Sequence, residues 1–436
     1  MSFDVSQLLH DAAGDPKEQN FDAVWRRSRQ LHGRRTAVVT GALVSGMLTV
    51  VFLMSVLPLE EWSAPPSSTN RVPLAEGAWQ AIPEAPIEGR INALSAWTGS
   101  ELIVWGGYDP RQGYNSPTRK RCRCWLNGAA FNPSTDEWQR LAQSPITEAA
   151  DVGRSAVWTG EEFIIWGGAG ARLTQPDNGA AYNPATDSWR TLPGAPTWSL
   201  GGHSAVWTGD EMIVWGGDVD DGGAAYDPRS NRWRAIAYNY SDPPQSRSKH
   251  AAVWTGEEMI VWGGSATSDG DALSDGGAYD PRQDTWRTLP EAPISSRDYP
   301  DAVWTGREMI VWGGISQHKG QSTGAAYDPE QDSWRTIEPA PITDGLDSHH
   351  PAWTGSAFPA SMTKPVWTGS VMVVLGHNRG AAYDPRSDSW TELPASPALQ
   401  RDFQTMVWSG GELLVWGGDN VDASRSNADG ARWRPE

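Results

Sequence analysis

The chain has 436 residues and a formal net charge of −18, with 26 tryptophans, 46 glycines and 32 prolines. An acidic balance of this size argues against nucleic acid as a partner, because phosphate binding needs a basic face. It argues equally against the bulk of the chain docking on anionic lipid, and is read as a solubilising exterior.

Residues 1–35 form a short tail, too small for a core of its own. Phe3, Val5, Leu8, Leu9 and Ala12 have helical periodicity that Gly14-Asp15-Pro16 stops, and Phe21, Val24 and Trp25 suggest a second short helix. Thr36 to Leu59 then runs for 24 residues without a charge, long enough to span a hydrocarbon core of about 30 Å. Arg26, Arg27, Arg29, Arg34 and Arg35 precede it, while Glu60 and Glu61 follow. The positive-inside rule therefore predicts a single transmembrane helix with the tail in the cytoplasm and the rest of the chain outside. A cleaved signal peptide and a twin-arginine signal on Arg34-Arg35 are the competing readings. Residues 60–76, with Ala64-Pro65-Pro66-Ser67-Ser68, read as a tether.

From Gly77 to the end the sequence is an array. Trp-Thr-Gly corners, once Trp-Ser-Gly, recur at Trp97, Trp158, Trp207, Trp254, Trp304, Trp367 and Trp408, spaced by 61, 49, 47, 50, 63 and 41 residues. In the unit around Trp254 a short apolar segment ends at the tryptophan, and Thr255-Gly256 turns the chain. Met259-Ile260-Val261-Trp262 follows as a strand buried on both faces, stopping at Gly263-Gly264. After a variable stretch come Gly277-Ala278-Tyr279, a turn at Asp280-Pro281 and the strand around Trp286. Four antiparallel strands repeated radially make a β-propeller blade.

A Gly-Gly doublet after an apolar strand, followed by a Tyr and a Trp seven residues apart, resembles the Kelch repeat. Tyr182 with Trp189, Tyr226 with Trp233, Tyr279 with Trp286, Tyr327 with Trp334 and Tyr383 with Trp390 keep that spacing, and Phe131 with Trp138 is a conservative variant. The fold expected is all-β: a Kelch-like propeller of seven four-stranded blades over residues 77–436, preceded by one transmembrane helix. The last unit lacks an outer strand, while Trp79 to Pro86 reads like Trp286 to Pro293 with no unit before it. The N-terminal strand is therefore predicted to complete the last blade and close the ring. In unit six, Trp353-Thr354-Gly355 duplicates the corner at Trp367, so either one could be the true corner, and His377 stands in place of the second glycine. Of the tryptophans, 21 occupy repeat positions and are read as filling between blades.

Kelch propellers, as the resemblance implies, bind through the loops after the Gly-Gly doublet and between blades. Four residues before a corner stand Arg154, His203, His250 and, counted from Trp353, His349, with Pro300 and Gln404 elsewhere. A shared offset predicts matching places on several blades and a partial ring at a channel mouth. Seven residues before the corner stand Arg90, Arg247, Arg297 and Arg401, suited either to an acidic ligand or to local acids and loop carbonyls. Arg121 and Arg123, beside Cys122 and Cys124, lie in a basic loop suited to an acidic partner or glycan, where a local disulfide is one option.

No metal or other cofactor is implied. The acidic stretches Asp218 to Asp221 and Asp269 to Asp271 lack a full calcium-ligand pattern. The reading reached is a membrane-anchored extracytoplasmic module that binds a protein or glycan. Its rival is a carbohydrate-active enzyme, since the Kelch resemblance includes sugar oxidases and sialic acid epimerases. An oxidase of that kind would need a Tyr-Cys crosslink that two cysteines in one loop do not suit. The tail with its anchor resembles the N termini of bacterial anti-sigma-factor-like membrane proteins, which adds signalling through the tail as a third possibility.

Overall fold

The computed structural model of the chain describes residues 77–109, 124–147, 153–168, 179–197, 201–217, 222–238, 244–266, 270, 272–317, 319–342, 364–376, 379–419 and 426–435. The expected tail helices, membrane span and tether lie outside them. Among the described residues no helix is long and apolar enough to cross a membrane.

The described strands form seven four-stranded antiparallel sheets and one short two-stranded ribbon, Ile315–Ser316 with Lys319–Gly320. Blade 4 shows the pattern, with Ala251–Trp254, Met259–Trp262, Gly276–Asp280 and Thr285–Thr288 side by side in chain order. The first strands of the blades adjoin one another in cyclic order, so they line the axis and the fourth strands form the rim. Burial follows from that arrangement. Every residue of the second strand is buried in blade 4, as in the matching strands of the other blades, while the outermost strand is largely exposed. The tryptophans that end the second strands, such as Trp215, Trp262 and Trp312, are fully buried between neighbouring blades.

Each turn has a local cause. At the corner the hydroxyl of Thr255 accepts from the N–H groups of Glu257 and Glu258, at 3.2 and 2.9 Å, and Gly256 takes a φ of 101° that a side chain would resist. At the outer hairpin Asp280 accepts from the Arg282 N–H at 2.8 Å, and Asp284 closes the turn in the left-handed region.

Two expectations about the ends and the irregular unit can be resolved. Ala78–Ile82 pairs with Gly430–Arg434, Trp79 opposite Trp433, so the N-terminal strand is indeed the fourth strand of blade 7. Blade 6 takes Trp367 as its corner, with Val366–Trp367 paired to Met372 and Val373. His349 and Trp353 lie outside the described residues, so the offset counted from Trp353 belongs to no described strand.

One hydrogen bond recurs at every seam. The indole of each outer-strand tryptophan donates to a carbonyl just past the outer strand of the blade before it. Trp138 donates to Pro83, Trp189 to Ala142, Trp233 to Pro193, Trp286 to Ala237, Trp334 to Pro290, Trp390 to Glu338 and Trp79 to Pro394, all between 2.6 and 3.0 Å. Four seams add an ionic bridge. Arg287, on blade 4, grips Glu258 of its own blade through two bonds of 2.9 and 2.6 Å and reaches the Tyr327 hydroxyl of blade 5 at 2.9 Å. Tyr327 in turn donates to Asp332 at 2.6 Å. Arg190, Arg234 and Arg335 repeat the arrangement with Glu162, Glu211 and Glu308. At blades 1 and 7 Phe131 and Trp433 replace the tyrosine, and the preceding arginine is replaced as well, by Gln80 and Thr391.

Deleting the closing strand through Pro83 would leave Gly430–Arg434 as an open edge and break the hydrogen bonds to Pro83 and Pro394 at two seams. The expected outcome is a melting temperature lower by on the order of 10 °C, with concentration-dependent association seen by light scattering. An unchanged, monodisperse melt would show that the ring does not depend on this strand.

Candidate functional site

Antiparallel order sends the connections between second and third strands, and those between blades, to one face. The tight corners and outer hairpins lie on the other. The hairpin face repeats one geometry, whereas on the first face the sequence between doublet and third strand varies from blade to blade. The doublet itself serves that exit: the first glycine has φ between 70° and 82°, and the second between 80° and 121°.

Where the first strand begins, on this variable face, lies a girdle that sequence reasoning missed. Five residues before the corner stand Asn92, Gly153, Gly202, Lys249, Tyr299 and Phe403, and all six have φ between 52° and 85°. Glycine tolerates this conformation, but for lysine, tyrosine and phenylalanine it costs about 1–2 kcal/mol each. Backbone bonds between blades hold them there. The N–H of Lys249 donates to the Gly202 carbonyl at 2.9 Å, that of Tyr299 to Lys249 at 2.9 Å, and that of Asn92 to Phe403 at 3.1 Å. Strain sustained in this way marks candidate functional positions. The two glycines and one asparagine at a shared offset were the signal available in the sequence.

Side chains from separate blades meet at this mouth. Ile91 and Tyr108 of blade 1, Ile315 of blade 5 and Phe403 of blade 7 form one buried apolar cluster, with Tyr299 and Cys124 packed against it. Cys124 is disulfide-bonded. Arg121, Cys122 and Arg123 lie outside the described residues.

The series four residues before the corner does occupy matching places, but these are seams between blades. Arg154 holds its guanidinium 5.9 Å from the ring of Trp105 on blade 1. His203 lies edge-on to Trp166 of blade 2 at 5.0 Å, and His250 to Trp215 of blade 3 at 5.1 Å. Each imidazole also shares a hydrogen bond with a serine of the preceding blade: His203 Nε2 with Ser155 at 2.7 Å, and His250 Nε2 with Ser204 at 2.8 Å. A Ser–His pair suggests an activated nucleophile. Burial prevents it here, pushing both imidazoles down to about 3 with smaller contributions from Lys364 at His203 and Arg247 at His250. A base so reluctant to take a proton is a poor general base near neutrality.

The series seven residues before the corner is internal. Arg90, Arg247 and Arg297 are at most 1% exposed. Arg297 donates to the carbonyls of Gly313 and Thr323 at 2.9 and 2.6 Å, tying the doublet to the start of the third strand. Arg90 does the same with Gly106 and Asn127, and Arg247 with Gly263 and Asp275. Arg401 donates to Asp429. These guanidiniums satisfy loop carbonyls, which was the plainer of the two readings. Among the described residues no group of three or more His, Cys, Asp or Glu is placed to hold a metal ion.

The depressed imidazoles predict a pH dependence of stability. The unfolded chain protonates His203 and His250 below about 6.5, but the folded chain resists until about 3. Their contribution is therefore complete above pH 6.5 and is lost as the pH falls towards 3, by at most about 1.4 kcal/mol per pH unit for each histidine. Replacing both by glutamine should flatten the acid limb of melting temperature against pH. An unchanged limb would assign it to other groups.

The arrangement can be compared with known proteins. A family model described as the KLHDC2/KLHL20/DRC7 Kelch-repeats domain matches residues 153–352 and 202–418, together more than half of the chain. Kelch-like protein terF of Aspergillus terreus (strain NIH 2624 / FGSC A1156) is 27% identical over 168 residues. The match covers 37% of this chain and 32% of that protein, so it spans about a third of the relative's length. With doublets, corners and seam tryptophans placed as a Kelch repeat requires, this chain belongs to the Kelch-repeat β-propeller family.

Proposed function

We propose that the chain is a membrane-anchored extracytoplasmic interaction module whose propeller binds a protein or glycan through its variable face. The observation that carries the reading is the contrast between the two ends of the ring. The hairpin end repeats one geometry from blade to blade. The other end combines variable connections with a strained girdle in which Lys249, Tyr299 and Phe403 are held in the left-handed region. Function concentrates on loops that a rigid scaffold positions, and a Kelch propeller suggests a protein-interaction module.

The anchor rests on sequence. An uncharged segment of 24 residues, preceded by five arginines and followed by two glutamates, supports a single crossing with the tail in the cytoplasm. The glycan alternative rests on the aromatic residues at the mouth and on the acidic and basic residues around it.

Two outcomes are expected. In intact cells an N-terminal epitope should be protected from added protease while a C-terminal epitope is digested, and the reverse pattern would overturn the topology. Phe403→Ala should reduce partner crosslinking at least tenfold, whereas Arg282→Glu on the hairpin face should leave it unchanged. Equal loss from both faces, or loss only from the hairpin variant, would overturn the assignment of the binding face.

A further inference from the structure

Buried polar atoms without partners call for a physical explanation, and several gather where blades 4 and 5 meet at the axial mouth. Ser248 and Ser265 form a backbone bridge pair and are 1% and 0% exposed, and the Ser248 hydroxyl has no hydrogen-bond partner. Asp298 holds in blade 5 the position that Ser248 holds in blade 4, and its Oδ1 is buried without a donor. Burial pushes the Asp298 carboxyl up, while the Lys249 ammonium and the Ser265 hydroxyl, both facing it, pull it down. Lys249 itself extends over the neighbouring girdle residue, its Nζ 5.3 Å from the centroid of the Tyr299 ring. Lys249, Asp298 and Tyr299 are only partly buried, so a group arriving from outside can reach them.

The chemistry of these atoms selects the kind of ligand. The Ser248 hydroxyl and Asp298 Oδ1 are oxygens without a donor, and a carboxylate oxygen can be satisfied only by a donor. Nearby groups that would suit an anion are already committed, since Arg247 and Arg297 donate to the carbonyls of Gly263, Asp275, Gly313 and Thr323. The Tyr299 face already carries a cation supplied from within the chain. A guanidinium matches such a place better than an ammonium, because its planar fork carries five donors and stacks on an aromatic face.

On the reading of this face as the partner-binding surface, we propose that the mouth between blades 4 and 5 receives an arginine side chain of the partner. Asp298, Ser248 and Ser265 accept from the guanidinium, Tyr299 stacks beneath it, and Lys249 is the resident cation that it displaces. The net charge of −18 favours the approach of a basic partner.

The test uses the full-length chain titrated by calorimetry with N-acetyl-arginine amide, with its neutral citrulline counterpart, and with N-acetyl-glutamate amide. Removing the resident cation in Lys249→Met should tighten arginine binding at least fivefold over wild type. Adding Asp298→Asn to that variant should abolish the gain, and citrulline should bind at least tenfold more weakly than arginine throughout. A gain in affinity cannot arise from misfolding, so the lysine variant keeps the test decisive even if the aspartate variant melts early. Lys249→Met binding no tighter than wild type, citrulline binding as well as arginine, preference for the glutamate probe, or no binding of any probe would each overturn the proposal. Partner crosslinking that survives Asp298→Asn, with no arginine binding, would remove the arginine site and leave the binding face standing.

Discussion

The structure depends on a hydrogen bond that each blade makes to the blade before it. The seven outer-strand indoles donate to seven carbonyls, and one of the donors, Trp79, lies on the first of the described strands. Because that strand pairs with the last described one, the chain closes into a ring and Gly430–Arg434 is covered rather than left as an edge. The indole suits the position because it buries a large apolar body and still carries one N–H to be satisfied at the rim.

The ionic bridges reinforce this ring unevenly. Arg190, Arg234, Arg287 and Arg335 span the four seams from blade 2 to blade 6. The seams on either side of blade 7 carry no tyrosine hydroxyl at the matching position, having Phe131 and Trp433 there. At the closure Arg432 takes a different route, bonding to Gln80 and to the Pro133 carbonyl. The bridging guanidiniums are about one-third exposed, so solvent screens them and their contribution is modest. Strand pairing and the seam tryptophans therefore dominate.

Residues that invite a catalytic reading have been absorbed by packing. His203 with Ser155 and His250 with Ser204 have the distances of a nucleophile and its base, yet burial against Trp166 and Trp215 keeps the imidazoles neutral. The arginines seven residues before the corner are consumed by loop carbonyls. Nearer the axis, Lys249, Tyr299 and Phe403 are held in a conformation their side chains resist.

The sequence by itself determined the blade, because each of its signals is local. Thr255-Gly256 turns through its own hydroxyl and a positive φ, Met259 to Trp262 is apolar throughout because both its faces are covered, and Asp280-Pro281 closes the outer hairpin. It also determined the closure, since Trp79 to Pro86 is a displaced copy of a later segment. Only the tertiary structure decided which of two corners blade 6 uses, because Trp353 and Trp367 carry the same local signal and pairing with Met372 and Val373 distinguishes them. It decided equally that Arg154, His203 and His250 face the tryptophans of the preceding blade, since a shared offset specifies a matching position but not the surface that covers it. The girdle was hidden for the same reason: the left-handed backbone of Lys249, Tyr299 and Phe403 is imposed by bonds between blades, and only Asn92, Gly153 and Gly202 at the same offset hint at it.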